Sequence, residues 1–355
     1  MKIVVLAGGL SPERDVSLTS GTEICNALRR RGHAAILVNL FYGVKANCDA
    51  DLQALFEDAS AEITTPNIGI DTPNINEVKA ARKLDENDWV LKDAEIGPNV
   101  LCVCKMADIV FMGLHGGIGE NGKLAALFDV YGIKYTGTGS LSSSLAMHKG
   151  IAKEIFVASN VPAARYELFK SGDDTSFKNT GLELPVVVKV CSGGSSIGVF
   201  IAHTEAEYNA SIEKCFAMEA DVLVEEFVQG REFAVPVLDG KALPVIEIIP
   251  ENGWFDYKHK YQANQTREVC PAQIDGETTS KLQEAAERAY RCLGLQVYAR
   301  PDFIVSESGD IYCIEINTLP GMTPASLFPK SANAAGIKYD ELCEKILQLS
   351  LNKYN

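Results

Sequence analysis

A chain of 355 residues, 46% hydrophobic with mean hydropathy near zero, has room for two or three domains around a large core. No apolar run approaches the ~20 residues of a membrane span, and the start, Met1-Lys-Ile-Val-Val-Leu-Ala-Gly-Gly, enters a strand rather than a signal peptide. A formal charge of −14 argues against a nucleic-acid partner, and ten cysteines without a CxxC pair argue against structural zinc and for reduced thiols in a cytoplasmic protein.

Ile3 to Ala7 reads as a buried strand ending in Gly8-Gly9. An amphipathic helix from Ser17 to Arg31, closed by Gly32, and a strand from Ala35 to Leu40 follow. This β-loop-α-β start predicts an α/β fold with an open parallel sheet and ligand groups at strand ends. Glu13 lies in the first such loop, where a carboxylate suits an ammonium group; alone, it also fits a solvated loop residue. Residues 42–100 are rich in Asp, Asn and Pro and read as a decoration of the first domain.

A strand from Asp108 to Leu114 runs into His115-Gly-Gly-Ile-Gly-Glu120-Asn-Gly122-Lys123, then a helix to Tyr131. Leu124 stands where a P-loop needs its hydroxyl, so the segment reads as a glycine-rich turn that places His115 and Glu120. The first strand-helix turn also lacks GxGxxG, which weighs against hydride transfer. One helix is expected over Ser142–Ser159, then strands over Leu184–Val190 and Val199–Ala202. Between those strands, Gly193-Gly-Ser195-Ser196-Ile-Gly198 is a donor-rich loop able to cover phosphates, with Lys189 as a point charge beside it. A helix over Glu205–Phe216, a strand over Val222–Phe227 and helices near 278–293 and 338–351 complete the reading. The aromatic, basic segment Trp254 to Tyr261 fits a lid over phosphates or an anchored surface loop.

The richest stretch is Arg300 to Asn317. It predicts two strands around a two-residue turn at Ser308-Gly309, with Asp302 opposite Glu315 and Arg300 opposite Asn317. Those four side chains would share one face, with Phe303, Val305, Tyr312, Ile314 and Ile316 on the other. Two carboxylates and an amide oxygen make a hard-cation site suited to Mg²⁺, and arginine beside them could neutralise developing charge. An exposed hairpin with a charged face fits the same alternation.

Taken together, these motifs resemble a D-alanine–D-alanine ligase of the ATP-grasp superfamily. The matching pieces are Gly8 to Ser17, His115 to Gly122, Met147-His-Lys149, Val188 to Gly198 and Glu225-Glu226-Phe227. They continue with Asp256 to Tyr261, Ala299 to Asp302 and Glu315 to Thr323. They occur in family order over nearly the whole chain. The resemblance implies three domains: 1–139 with the parallel sheet, 140–223, and 224–355 with the metal site and a lid at 250–268. It implies that Lys149, Lys189 and, with the lid, Lys260 hold ATP phosphates, with Ser196 in the loop over them. Glu225, Glu226, Phe227 and Val228 would meet adenine, and Glu232 the ribose. Asp302, Glu315 and Asn317 would hold two Mg²⁺ ions, or Mn²⁺. Glu13 would bind the first D-alanine's ammonium with His115 nearby, and Ser195 and Tyr261 would link to Glu13. Arg300 and the Gly321 amide would stabilise the oxyanion, and Ser326 with Leu327 would receive the second amino acid. A homodimer is implied by resemblance only.

Departures from the family pattern are His148 for Asp, Val190 for Pro, Ser192-Gly193-Gly194 where arginine is common, and Phe255 for a lid tyrosine. The last leaves D-serine open as an alternative second substrate. A different carboxylate–amine ligase of the superfamily and a non-catalytic nucleotide-binding regulator are the competing readings.

Overall fold

A computed structural model describes residues 1–57, 59, 61–66, 73–84, 94–250 and 266–355. Residues 251–265 of the expected lid, Lys260 and Tyr261 included, lie outside the described residues. The chain forms two compact units. Unit 1 comprises Met1–Ser143, Gln296–Tyr298 and Thr318–Asn355, and unit 2 comprises Ser144–Leu295 and Ala299–Asn317.

Unit 1 is built on strands β1 (Lys2–Ala7), β2 (Ala34–Asn39) and β3 (Ile109–Met112). They pair in parallel in the order β2-β1-β3. The apolar run of β1 fits its central place, because a strand covered on both faces needs no polar alternation; Ile3 to Ala7 are all fully buried. The first helix spans Arg14–Arg30, three residues earlier than its amphipathic pattern suggested. Ser17 therefore lies inside it, and its buried hydroxyl accepts from the Gly8 N–H at 2.8 Å and donates to the Gly113 carbonyl at 2.7 Å. This side chain ties the ends of β1 and β3 together, and Glu13 is the residue just before the helix. Within 42–100 lie helices at Asp49–Glu57 and Ile75–Ala81.

Unit 2 holds two antiparallel sheets among the described residues. The first consists of β4 (Tyr166–Lys170), β5 (Val186–Val190), β6 (Val199–Ala202) and β7 (Asp221–Glu226), ordered β4-β7-β5-β6. One face buries Val186, Val188, Val222 and Val224 against Tyr208, Ile212 and Cys215, from the helix Glu205–Phe216 and its end. The second sheet contains β8 (Gly230–Ala234), β9 (Val237–Leu238), β10 (Lys241–Ala242), β11 (Ile246–Pro250), β12 (Thr266–Val269), β13 (Tyr298–Ser306) and β14 (Ile311–Asn317). Its core packs Phe233, Phe303, Cys313 and Ile316 against the helix Gly276–Cys292.

The helix expected over Ser142–Ser159 is two helices, Ser140–Met147 and Lys149–Ala158. His148 stands between them in an extended conformation, and its Nδ1 accepts from the Ile151 N–H at 3.1 Å. An unprotonated imidazole nitrogen thus performs the capping that an aspartate carboxylate would perform. All ten cysteines are free thiols, and no helix among the described residues is long and apolar enough to cross a membrane.

Candidate active site

The β13–β14 hairpin places its polar residues as the alternation required. Arg300 pairs with Asn317 and Asp302 with Glu315. Between Asp302 and Phe303 the register shifts, so Phe303 faces Cys313 and Ile304 faces Tyr312. The turn is one residue longer than expected, with Ser306 N–H donating to the Asp310 carbonyl at 2.9 Å and Gly309 at φ 85°. The longer turn and the bulge cancel at the functional end. Between them they correct the side assigned to Tyr312 and Ile314, which were expected among the apolar residues of the far face and instead line a cavity. Tyr312 lies across from Ile304, which lines the same cavity, while Cys313 takes the core position beside Phe303.

That cavity has a volume of about 450 Å³ and lies wholly within unit 2. One wall is the face of β5 and β7 opposite the valine core, where Val187 pairs with Glu225 and Lys189 with Leu223. Lys189 and Glu225 are therefore diagonal neighbours on one face. A second contribution comes from the helix Lys149–Ala158, whose first and fifth residues, Lys149 and Lys153, lie on one side of a helix at i,i+4 spacing. The third is the hairpin, with Asp302 and Glu315. Of the residues singled out in the sequence, Lys149, Lys189, Ser196, Glu225, Glu226, Phe227, Val228, Glu232, Asp302 and Glu315 all line this space. Apolar walls with a few convergent charges are what a nucleotide-sized ligand requires.

Glu225 is buried with an ammonium group on each of its oxygens, Lys153 on one and Lys189 on the other. Burial alone would raise this carboxyl, but the two lysines outweigh it and hold Glu225 down at about 2. The group is ionised, while burial lowers Lys153 from the usual lysine range against the raising effect of Glu225. Lys153 was not among the sequence candidates. Its signal was a lysine four residues after Lys149 on the buried side of an amphipathic helix, a position that otherwise calls for an apolar residue.

On the hairpin, Asp302 accepts both arms of Arg300, Nε to Oδ1 and Nη2 to Oδ2, each at 2.8 Å. Asn317 Nδ2 donates to Asp302 Oδ2 at 3.0 Å. Lys149 Nζ stands 3.6 Å from Glu315 and also donates to the Gly193 carbonyl. Arg300 and Asn317 thus join the site through Asp302. In the β5–β6 loop, Ser195 and Ser196 both have positive φ, 53° and 60°. Serine pays for that backbone with roughly 1–3 kcal/mol each, a cost typical of segments shaped for a ligand. Ser195 is buried.

Glu13, His115, Gly321, Ser326 and Leu327 belong to unit 1. Gly116 has φ 62°, which favours glycine, and a Cβ there would come within 2.8 Å of Glu13 Oε2, so a larger residue would strain the backbone and displace that carboxylate. His115 is buried and engaged at both ring nitrogens. The Leu319 carbonyl, 2.8 Å away, can only accept, so Nδ1 carries a proton, while Nε2 meets the Ser20 hydroxyl at 2.9 Å. Ser326 Oγ accepts from the Thr323 N–H at 3.1 Å and stands 3.0 Å from where a Gly321 Cβ would be. Glu120 is buried too. Burial and the nearby charge of Glu13 push it up to about 7, against the pull of backbone N–H groups from Leu319, Gly116 and Thr318.

Comparison with known proteins shows which family the chain resembles along its length. The family described as D-ala D-ala ligase N-terminus matches residues 2–138, and D-ala D-ala ligase C-terminus matches 155–348. The chain is 41% identical to a D-alanine–D-alanine ligase of Pediococcus pentosaceus over 352 residues, covering 98% of this chain and 97% of the relative. It is 40% identical to the one of Lacticaseibacillus casei over 367 residues, covering 100% and 97%. Among solved structures it is similar to D-alanine–D-alanine ligase of Bacillus anthracis complexed with ATP, with a TM-score of 0.72, 28% identity, and coverage of 99% of this chain and 98% of that one.

Proposed function

This chain belongs to the D-alanine–D-alanine ligase family, and on that premise we propose that it joins two D-alanines with consumption of ATP, as a step in building peptidoglycan precursors. The observation that carries this reading is the meeting of Lys149, Lys153, Lys189, Asp302 and Glu315 around one cavity of nucleotide size. We assign ATP to that cavity, with unit 2 working as two lobes, one on each of its sheets. Lys149 and Lys189 would hold the phosphates, and Glu225 to Val228 with Glu232 the adenosine. Asp302, Glu315 and Asn317 fit a hard divalent cation such as Mg²⁺, because all three present oxygen donors from one sheet face. When bound, such an ion supplies charge neutralisation between phosphate oxygens.

The chemistry is two transfers. A carboxylate oxygen of the first D-alanine attacks the γ-phosphorus, the bond to ADP breaks, and a D-alanyl phosphate forms. The amine nitrogen of the second D-alanine then attacks that carbonyl, phosphate leaves, and the nitrogen loses a proton. Glu13 would orient the first ammonium, and Ser195 and Tyr261 are assigned to the same substrate by the family resemblance. Arg300 and the Gly321 N–H would take up charge on the reacting oxygens, and Ser326 with Leu327 would receive the second amino acid. Closure by the segment carrying Lys260 and Tyr261 would keep water from the acyl phosphate. Self-association as a homodimer rests on the family alone, and a monomeric mass in light scattering would remove it.

The test is to incubate the protein with ATP, Mg²⁺, D-alanine and equimolar D-serine and identify products by mass spectrometry. D-alanyl-D-alanine as the main product is expected. A dominant D-alanyl-D-serine product moves the specificity and keeps the mechanism. Nucleotide binding with no dipeptide removes the ligase reading.

A further inference from the structure

We propose that Glu120 is a positioning residue for the acyl-transfer step: its buried carboxylate fixes residues 318–322 so that the Gly321 N–H is the donor left to the reacting oxygen. The proposal rests on the ligase reading above and deepens it. Between Thr318 and Met322 the backbone offers four N–H groups, because Pro320 has none. Glu120 Oε1 accepts two of them, from Thr318 at 2.9 Å and Leu319 at 3.0 Å. Ser20 Oγ accepts a third, from Met322 at 3.3 Å. Among the described residues no hydrogen bond engages the fourth, that of Gly321.

The same carboxylate reaches the other way. Glu120 Oε2 accepts from the Gly116 N–H at 3.0 Å, in the loop whose previous residue is His115. His115 in turn donates from Nδ1 to the Leu319 carbonyl. Two segments about 200 residues apart in sequence are thus laced by one acid, one imidazole and one serine, all inside unit 1. A carboxylate is the required group. Glutamine would offer one oxygen to Thr318 and Leu319, but its NH₂ would then face the Gly116 N–H, donor against donor. Aspartate is one methylene, about 1.5 Å, too short to reach both sides. Burying an unpaired carboxylate is costly, and the three N–H groups this one collects offset part of that cost.

The experiment compares the wild-type protein with Glu120→Gln and Glu120→Asp, reading kcat, KM for D-alanine, and ATP affinity by calorimetry. Both variants should lose about 10²-fold in kcat, the scale of removing one oxyanion donor, with ATP affinity within about two-fold, since the nucleotide cavity lies in the other unit. Wild-type kcat and KM in Glu120→Gln would overturn the proposal. Parallel loss of ATP affinity in both variants would also overturn it, by showing a general folding role. If the wild-type protein makes no dipeptide, the ligase reading falls by itself. The anchoring is then decided by amide hydrogen exchange, in which Thr318 and Leu319 should exchange faster in Glu120→Gln, and unchanged exchange would refute it.

Discussion

The two units hold their functional groups by different means. In unit 2 the cavity is lined by side-chain charges carried on regular elements: Lys189 and Glu225 on strands, Lys149 and Lys153 on a helix, Asp302 and Glu315 on a hairpin. In unit 1 the work falls to backbone groups, namely the amides of Gly116, Thr318, Leu319 and Gly321, held by a few buried polar side chains. Charges on sheets and helices suit a ligand rich in phosphate, because point charges act over several ångströms and tolerate small displacements. Backbone donors at loop ends suit a small zwitterion and a developing oxyanion, where direction matters more than charge.

The sharpest way to break this contrast is Glu315→Ala. It removes a cavity carboxylate from a strand whose backbone pairing stays intact. Turnover should fall by about 10³-fold, the upper range for losing one preorganised electrostatic group, with an unchanged thermal melt. A fully active variant would remove the cation assignment. Next in size is Lys153→Met, which leaves Glu225 buried with Lys189 alone. Breaking a buried ionic cluster by removing one partner costs about 3 kcal/mol or more, so urea unfolding should shift by that amount and ATP affinity should fall with it. An unchanged unfolding midpoint would mean that Lys189 suffices.

The same cluster gives a pH dependence with a defined sign. Glu225 has its carboxyl lowered from 4.5 to about 2 in the folded protein. Its stabilising contribution is therefore complete above 4.5 and lost as pH falls through about 2. Glu120 runs the opposite way, since it is raised to about 7. It favours the folded state most below 4.5 and gives that up as pH rises through 7. Glu13 faces it from the loop before the first helix, and Tyr298 stands near it on β13. Glu225→Gln should flatten the acid limb of a melting-temperature profile, and Glu120→Gln should flatten its neutral region. Profiles identical to wild type would contradict both assignments.

The same difference decided what the sequence could reveal. Alternation alone put Asp302 opposite Glu315, and the helices Lys123–Tyr131 and Glu205–Phe216 and the strand Val199–Ala202 have the bounds their local patterns imply. Thr204, whose hydroxyl accepts from the Glu207 N–H, is the kind of start signal that needs no tertiary partner. What stayed hidden was non-local. The bulge that turns Tyr312 toward the cavity has no residue signature in the stretch. The short strands β8 to β12 are stabilised by neighbours rather than by their own pattern. Glu120 was singled out by its glycine-rich turn, but its partners, the Thr318 and Leu319 amides, are almost 200 residues away and left no local signal. Lys153 was visible only as an anomaly, a lysine on an apolar helix face.

The smallest effect tests whether charge pairing outside the two sites matters to function at all. Arg30, at the end of the first helix, reaches Asp340 at the start of the C-terminal helix with Nε to Oδ2 at 2.9 Å and Nη2 to Oδ1 at 2.7 Å. The geometry is bidentate, yet the Arg30 side chain is 46% exposed, so water and salt screen the attraction. Arg30→Gln should therefore cost no more than about 1 kcal/mol, less still in high salt, and leave kcat untouched. A loss of turnover with little loss of stability would mean that the packing of these two helices reaches the groups of unit 1 proposed to take part in the reaction, and that the Glu120 and His115 contacts are not a sufficient account of how residues 318–322 are held.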